Sequence, residues 1–196
     1  MDENQPYTIV ELEQGTREWL SWREEGLGAS DAPAVMGENP WKSPARLLKE
    51  KIEGCRFKPN AAMSRGIALE PVARARYETL FGVEVPAACL QSTRYDWLRA
   101  SVDGLAPDGS LVIEIKCGNK VYSLTSETGE APRYYYGQLQ HILAVTGLDS
   151  IDFWCYLPFM PEVHVVVGRD EPYIERMLEE EYRFWKNVIS GRNSPR

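Results

Sequence analysis

The sequence predicts an α/β (α+β) domain, a central mixed sheet flanked by helices, with a helical N-terminal third. Three features carry that prediction. Three capped helical segments follow one another before Gly54. Two pairs of apolar segments then read as strands around turn residues, and helical spacing lies between and after them.

The first helix is predicted from Thr16, a capping residue, to Glu25, with Trp19, Leu20 and Arg23 on one face and Gly26 as its stop. A shorter one opens at Ser30 and ends at Gly37. The third has Ser43 as cap, Pro44 at the first position, Leu47, Leu48 and Ile52 on a stripe, and Gly54 as terminator. From Leu69 the apolar positions 69, 72, 73, 77 and 80 keep helical spacing up to Gly82, and Pro71 is placed in a first turn, where proline costs no hydrogen bond. "WLRASVDGLA" and "LVIEIKC" then read as a hairpin around "PDGS". After a polar loop come a helix at about 133–146, a second hairpin, "IDFWCYL" and "EVHVVV", and an amphipathic helix at about 171–190. The polar end is expected to fray, so residues 1–190 are read as one domain and 191–196 as a flexible tail.

With 196 residues, 43% hydrophobic and 26% charged, the chain suits one well-buried domain. No apolar run is long enough to span a bilayer and the acidic start lacks a signal peptide's pattern, so a cytoplasmic location is expected. Cys55, Cys89, Cys117 and Cys155 are widely spaced, without a metal-binding pattern, and read as reduced core thiols. His141 and His164 stand alone and receive no role. A net charge of −7 argues against a uniformly basic nucleic-acid surface, while leaving room for a local one.

The stretch "SVDGLAPDGSLVIEIKC" sets three charges into an apolar hairpin. Alternation puts Glu114 and Lys116 on one side and Ile113, Ile115 and Cys117 on the other. Asp103 comes opposite Glu114. Two carboxylates about 4 Å apart repel by about 4 kcal/mol at an effective dielectric near 20, a cost that a divalent cation removes by binding both. Hard oxygen donors suit Mg²⁺ or Mn²⁺, and a lysine two residues beyond the glutamate suits a reaction that orients water or stabilises charge on phosphate. The plainer reading is a solvated strand face on which charged and apolar residues alternate.

The spacing D-x(10)-E-x-K resembles the PD-(D/E)xK nuclease core, and four segments together resemble the lambda-exonuclease and YqaJ-like viral recombinase branch of that superfamily. They are "GTREWLSWREEGLGASDAPAVMGENPWKSP", "RGIALEPVARARYETLFGVEV", "SVDGLAPDGSLVIEIKC" and "YYYGQLQHILAVTG", in family order, within a likeness from about residue 12 to about residue 185. Val102 stands where the superfamily's name has proline, a residue that binds nothing.

The resemblance implies a metal-dependent 5′-to-3′ double-stranded DNA exonuclease. It would start at 5′-phosphorylated ends, release mononucleotides and leave 3′ single strands for recombination. Asp103, Glu114 and the Ile115 carbonyl would hold Mg²⁺, with Mn²⁺ substituting and one or two ions per site. Lys116 would position water, Glu70 would serve a second metal or its water, and Gln138 would lie beside the lysine. Arg23 and Ser30 match the family's 5′-phosphate pocket, and Met63, Lys42 and Arg65 are candidate DNA contacts. Read without the family, Ser30 is a helix cap, Arg23 a surface charge, Glu70 a carboxylate near a helix start, Gln138 an exposed helix residue and Met63 core filler. The glycines of "GLGASD" lack the lysine of a nucleotide-binding loop. The implied partners are linear duplex DNA, two further copies in a ring-shaped homotrimer and a single-strand annealing protein, in a phage or prophage setting within a bacterial host. A site-specific endonuclease on the same core and a non-catalytic DNA-end-binding module are the alternatives.

Overall fold

Asp103 is where the chain leaves one sheet for another. The computed structural model describes residues 5–54 and 60–193. The first sheet contains β1 (Tyr7–Val10), β2 (Leu27–Gly28), β3 (Ala88–Ser92) and β4 (Leu98–Val102), in the order β1-β3-β4-β2. The second contains β5 (Gly104–Leu105), β6 (Val112–Lys116), β7 (Ser150–Cys155) and β8 (Val163–Gly168), in that order. The segment read as one long strand is thus broken at Asp103. Past the break two residues pair with β6, Gly104 opposite Ile113 and Leu105 opposite Val112. The chain is closely packed just past the break: a Cβ on Gly104 would fall 2.7 Å from both the Val85 carbonyl oxygen and an Ile113 side-chain carbon.

Among the described residues seven α-helices flank the sheets: α1 (Arg17–Glu24), α2 (Ala32–Val35), α3 (Pro44–Glu53), α4 (Ala61–Phe81), α5 (Asn119–Thr128), α6 (Arg133–Thr146) and α7 (Glu171–Asn193). Thr16 and Ser43 cap α1 and α3 as their sequences require, each accepting a backbone N–H three residues on. α6 is the central helix. Leu139, Ile142, Leu143 and Val145 are buried against Leu90, Leu98, Ile151 and Phe153 in the main core. A second core joins Ala73 and Tyr77 of α4 to Ile113, Ile115 and Trp154. The second hairpin, β7–β8, forms in the expected place.

Four expectations need correction. The helix placed from Leu69 begins eight residues earlier, at Ala61, capped by Asn60, whose side chain accepts the Met63 N–H at 3.0 Å. Its first two turns are largely exposed and carry no apolar stripe, so periodicity could not find them. Pro71 is consequently inside the helix, on an exposed position where water can serve the carbonyl that the missing N–H leaves. Second, the supposed polar loop contains α5, polar outside with Val121, Tyr122 and Thr125 buried. Third, β1 and β3 were not read as strands; they pair antiparallel, Tyr7 with Ser92 through Val10 with Cys89. Fourth, the last helix runs to Asn193, because Arg192 donates to the Lys51 and Glu24 carbonyls and ties that turn to the body. Residues 194–196 of the expected tail, and Cys55, lie outside the described residues. Cys89, Cys117 and Cys155 are free thiols. Among the described residues no helix is long and apolar enough to cross a membrane.

Candidate active site

The strand β6 sorts its side chains as alternation requires. Ile113 and Ile115 enter the core under α4, while Glu114, 2% exposed, faces α6 and meets Gln138 there. Gln138 Nε2 donates to Glu114 Oε1 at 2.5 Å, and the Lys116 ammonium binds the same oxygen. Glu114 Oε2 is buried with no hydrogen-bond partner. Lys116 also lies over the Tyr135 ring, 4.8 Å from its centre.

Asp103, at the seam between the sheets, turns its carboxylate to the edge of β6 and accepts the Ile115 N–H at 2.7 Å. The N–H and C=O of one strand residue share an edge, so the Ile115 carbonyl points to the side that Asp103 occupies. Glu70 comes from the middle of α4, not from a helix start as its position near Leu69 suggested. Arg74, one turn on, binds Glu70 Oε1 through Nη2 at 2.6 Å and donates through Nε to the Asp103 carbonyl at 2.6 Å. Arg74 and Tyr135 escaped sequence reasoning. Each carries a helical signal in hindsight: Arg74 is four residues after Glu70, and Tyr135 three before Gln138.

The electrostatics bind these groups into one unit. Burial and then the Asp103 charge push Glu114 up to about 7. Burial also raises Asp103, despite Lys116, the Ile115 N–H and Arg74. It raises Glu70, helped by the Asp103 charge. Burial alone would lower Lys116, but the Glu114 and Asp103 charges outweigh it and hold the ammonium protonated above its ordinary range. Three acids resist common ionisation here, and the lysine answers part of that repulsion. As the side chains lie, no three acidic, histidine or cysteine groups among the described residues close on a common point. The donors directed here, the orphaned Glu114 oxygen, Asp103 and the Ile115 edge, are hard oxygens of the type Mg²⁺ and Mn²⁺ take.

A second cluster lies beside β4. Arg23 Nη2 donates to Ser30 Oγ at 2.7 Å, and its guanidinium lies 4.7 Å from the centre of the Trp19 ring. Trp19 Nε1 donates to Ser101 Oγ at 2.8 Å, two residues before Asp103. The expected pair, Arg23 and Ser30, is therefore brought together. The helix expected from Ser30 to Gly37 is shorter: Ser30 lies within a 3₁₀ turn, Ala29–Asp31, before the four-residue α2. The pair presents a hydroxyl and a guanidinium.

The low-specificity DNA candidates scatter. Met63 and Arg65 stand exposed on the projecting start of α4. Lys42 is engaged by Glu50 at 2.6 Å. The two histidines are structural: His141 is fully buried between Glu181 and the Arg99 carbonyl, and His164 pairs with Asp152 at 2.9 Å.

Fold and site together define a chain with the PD-(D/E)xK core. The sequence profile of the YqaJ-like viral recombinase domain matches residues 18–149, and the chain belongs to that family. Among curated proteins it is 28% identical over 190 residues to an uncharacterised protein, YqaJ, of Bacillus subtilis, covering 93% of this chain and 59% of the relative. An uncharacterised protein of Acanthamoeba polyphaga mimivirus is 31% identical over 160 residues, 74% of this chain and 29% of the relative. The chain thus spans less than two thirds of these two relatives. Among solved structures, an alkaline exonuclease from Laribacter hongkongensis, LHK-Exo, superposes with a TM-score of 0.77 at 31% identity, over 89% of this chain and 93% of that one. That enzyme has also been solved with dAMP. A phage-related exonuclease from Haemophilus somnus shares the fold at a TM-score of 0.57 and 15% identity, over 83% of this chain and 93% of that one.

Proposed function

We propose that this chain is a Mg²⁺-dependent 5′-to-3′ exonuclease on linear double-stranded DNA. It starts at 5′-phosphorylated ends, releases mononucleotides and leaves a 3′ strand for recombination. The carrying observation is that Lys116 and Gln138 meet on one oxygen of the buried Glu114 while Asp103 binds the N–H of the next strand residue, Ile115, with the Arg23–Ser30 pair linked to the strand end before Asp103 through Trp19 and Ser101. Kinship with an alkaline exonuclease at 31% identity supports the reading.

In this mechanism Asp103, Glu114 Oε2 and the Ile115 carbonyl would hold one ion, with Glu70 available to a second or to its water. A divalent ion bound there supplies Lewis acidity to the phosphodiester and a more acidic water. Lys116, kept protonated, turns its ammonium from Glu114 towards the nucleophilic water or a phosphate oxygen and stabilises negative charge there. Gln138 then keeps Glu114 Oε1 in place, and Arg74 holds Glu70 and the Asp103 backbone. Arg23 and the Ser30 hydroxyl bind the terminal phosphate, fixing how far the strand enters. Mn²⁺ substitutes for Mg²⁺. Met63 serves as an apolar wedge at the duplex end, with Arg65 and Lys42 on the backbone. The working form is a homotrimeric ring acting with a single-strand annealing protein in the cytoplasm of a bacterial host. In such a ring the net charge of −7 has to lie outside a locally basic channel.

The test is release of acid-soluble nucleotide from linear duplexes with 5′-phosphate or 5′-hydroxyl ends, in Mg²⁺ or EDTA. The expected result is metal-dependent mononucleotides, faster from phosphorylated ends and abolished by Lys116→Ala. Discrete internal fragments would instead make the chain an endonuclease. End binding without hydrolysis under any metal would leave a binding module.

A further inference from the structure

Behind the Arg23–Ser30 pair lies a buried ion pair that the chemistry does not use. Lys51, near the end of α3, sets its Nζ 2.8 Å from Asp31 Oδ2, and each side chain is only 11% exposed. The same Nζ lies 2.8 Å from the Gly26 carbonyl and 3.3 Å from the Arg23 carbonyl, donating to both. Asp31 in turn accepts the Gly28 N–H at 3.1 Å. Lys51 thus holds the turn from Arg23 to Asp31 from below, and the Lys51 carbonyl is itself gripped by Arg192 of α7.

Charge gives the pair its significance. The Asp31 carboxylate lies within the field of both Lys51 and Arg23, and these two cations hold it ionised against burial. Arg23, Asp31 and Lys51 together carry one net positive charge. Without Lys51 the count falls to zero, and of the two cations that hold Asp31 ionised, Arg23 is the one left. An incoming phosphate would then compete with an internal carboxylate for the guanidinium.

We propose that Lys51 is a positioning residue for the terminal-phosphate clamp: it occupies Asp31 and fixes the turn, leaving the Arg23 guanidinium to the 5′-phosphate. The inference rests on the exonuclease reading above and adds a specificity-determining residue outside the DNA contacts.

The test compares kcat/KM on 5′-phosphorylated and 5′-hydroxyl duplexes, as a ratio within each protein preparation. Such a ratio does not depend on how much of a variant is folded. Lys51→Met is expected to lower the phosphate preference about tenfold, the scale of one weakened charge-assisted contact, through KM on phosphorylated ends. Turnover on hydroxyl ends stays as in the parent. Lys51→Arg should keep most of the preference. The deciding variant adds Asp31→Asn to Lys51→Met: it removes the competing carboxylate and should recover the preference. A merely structural role for Lys51 predicts no such recovery. A normal ratio in Lys51→Met, or a double variant as impaired as the single one, overturns the proposal. A parent protein indifferent to the 5′-phosphate overturns the clamp reading itself, and the proposal with it.

Discussion

Gln138 and Lys116 bind the same oxygen of Glu114, and the second oxygen of that buried carboxylate is left without a donor. On the proposed mechanism Gln138 acts as a positioning residue that fixes which oxygen is available. Gln138→Ala is expected to lower kcat for nucleotide release about ten- to a hundredfold, the usual cost of losing a group that orients a ligand. KM for DNA should change little. A KM effect alone would place Gln138 on the DNA and not on Glu114.

Raised carboxyl values fix the sign of the pH response. Asp103, Glu70 and Glu114, the last at about 7, hold protons more firmly folded than unfolded. Their contribution to stability without metal is present at low pH and falls as pH rises from the ordinary carboxyl range to about 7. Metal must displace the same protons. The rise in melting temperature on adding Mg²⁺ should accordingly be larger at pH 8 than at pH 6. Equal shifts at both would separate metal binding from Glu114.

His141 offers a second pH signature, away from the active site. Burial alone would lower it, but Glu181 and the Arg99 carbonyl hold it above its ordinary value. The sign follows: its stabilisation is complete below about pH 6.5 and is lost as pH rises through the higher folded value. Replacing both partners, His141→Leu with Glu181→Met, should flatten that part of the melting-temperature profile. His141→Ala alone should cost about 3–5 kcal/mol in denaturant unfolding, because it leaves Glu181 buried and unpaired. A profile unchanged in the double variant would rule out this pair as its source.

Gly104→Ala tests the seam. The new methyl would meet the Val85 carbonyl oxygen and Ile113, both in packed surroundings. An expected loss of about 1–3 kcal/mol should accompany reduced nuclease activity, since Asp103 is the neighbouring residue. Full activity in a destabilised protein would show that Asp103 is held by its bond to Ile115 and not by the packing of Gly104.

Residues whose roles follow from local chemistry were legible in the sequence. Thr16 and Ser43 cap their helices, and Glu114 and Lys116 share a face because a strand alternates. Helix α6 is legible because its apolar stripe is buried. Features set by distant neighbours were not. The close packing just past Asp103 involves Val85 and Ile113, and the start of α4 has no apolar face to announce it. Arg74 is an unremarkable helical arginine until Asp103 is brought beside it from 29 residues away. The Arg23–Ser30 pairing was suggested by family resemblance, since the local signals, a helix opening at Ser30 and a charge on the helix before it, do not by themselves bring the two together.

Ser101, where the link from Arg23 through Trp19 ends, and Asp103 are two residues apart on one continuous backbone. An extended chain covers that interval in about 7 Å and cannot stretch further. On the reading proposed above, the Arg23–Ser30 pair and the Asp103 carboxylate are thus tied to one strand, with Trp19 bridging the remaining interval through a ring contact and a hydrogen bond. On that reading, a residue inserted between Ser101 and Asp103 would turn the carboxylate away from the edge of β6 and abolish cleavage without changing product length.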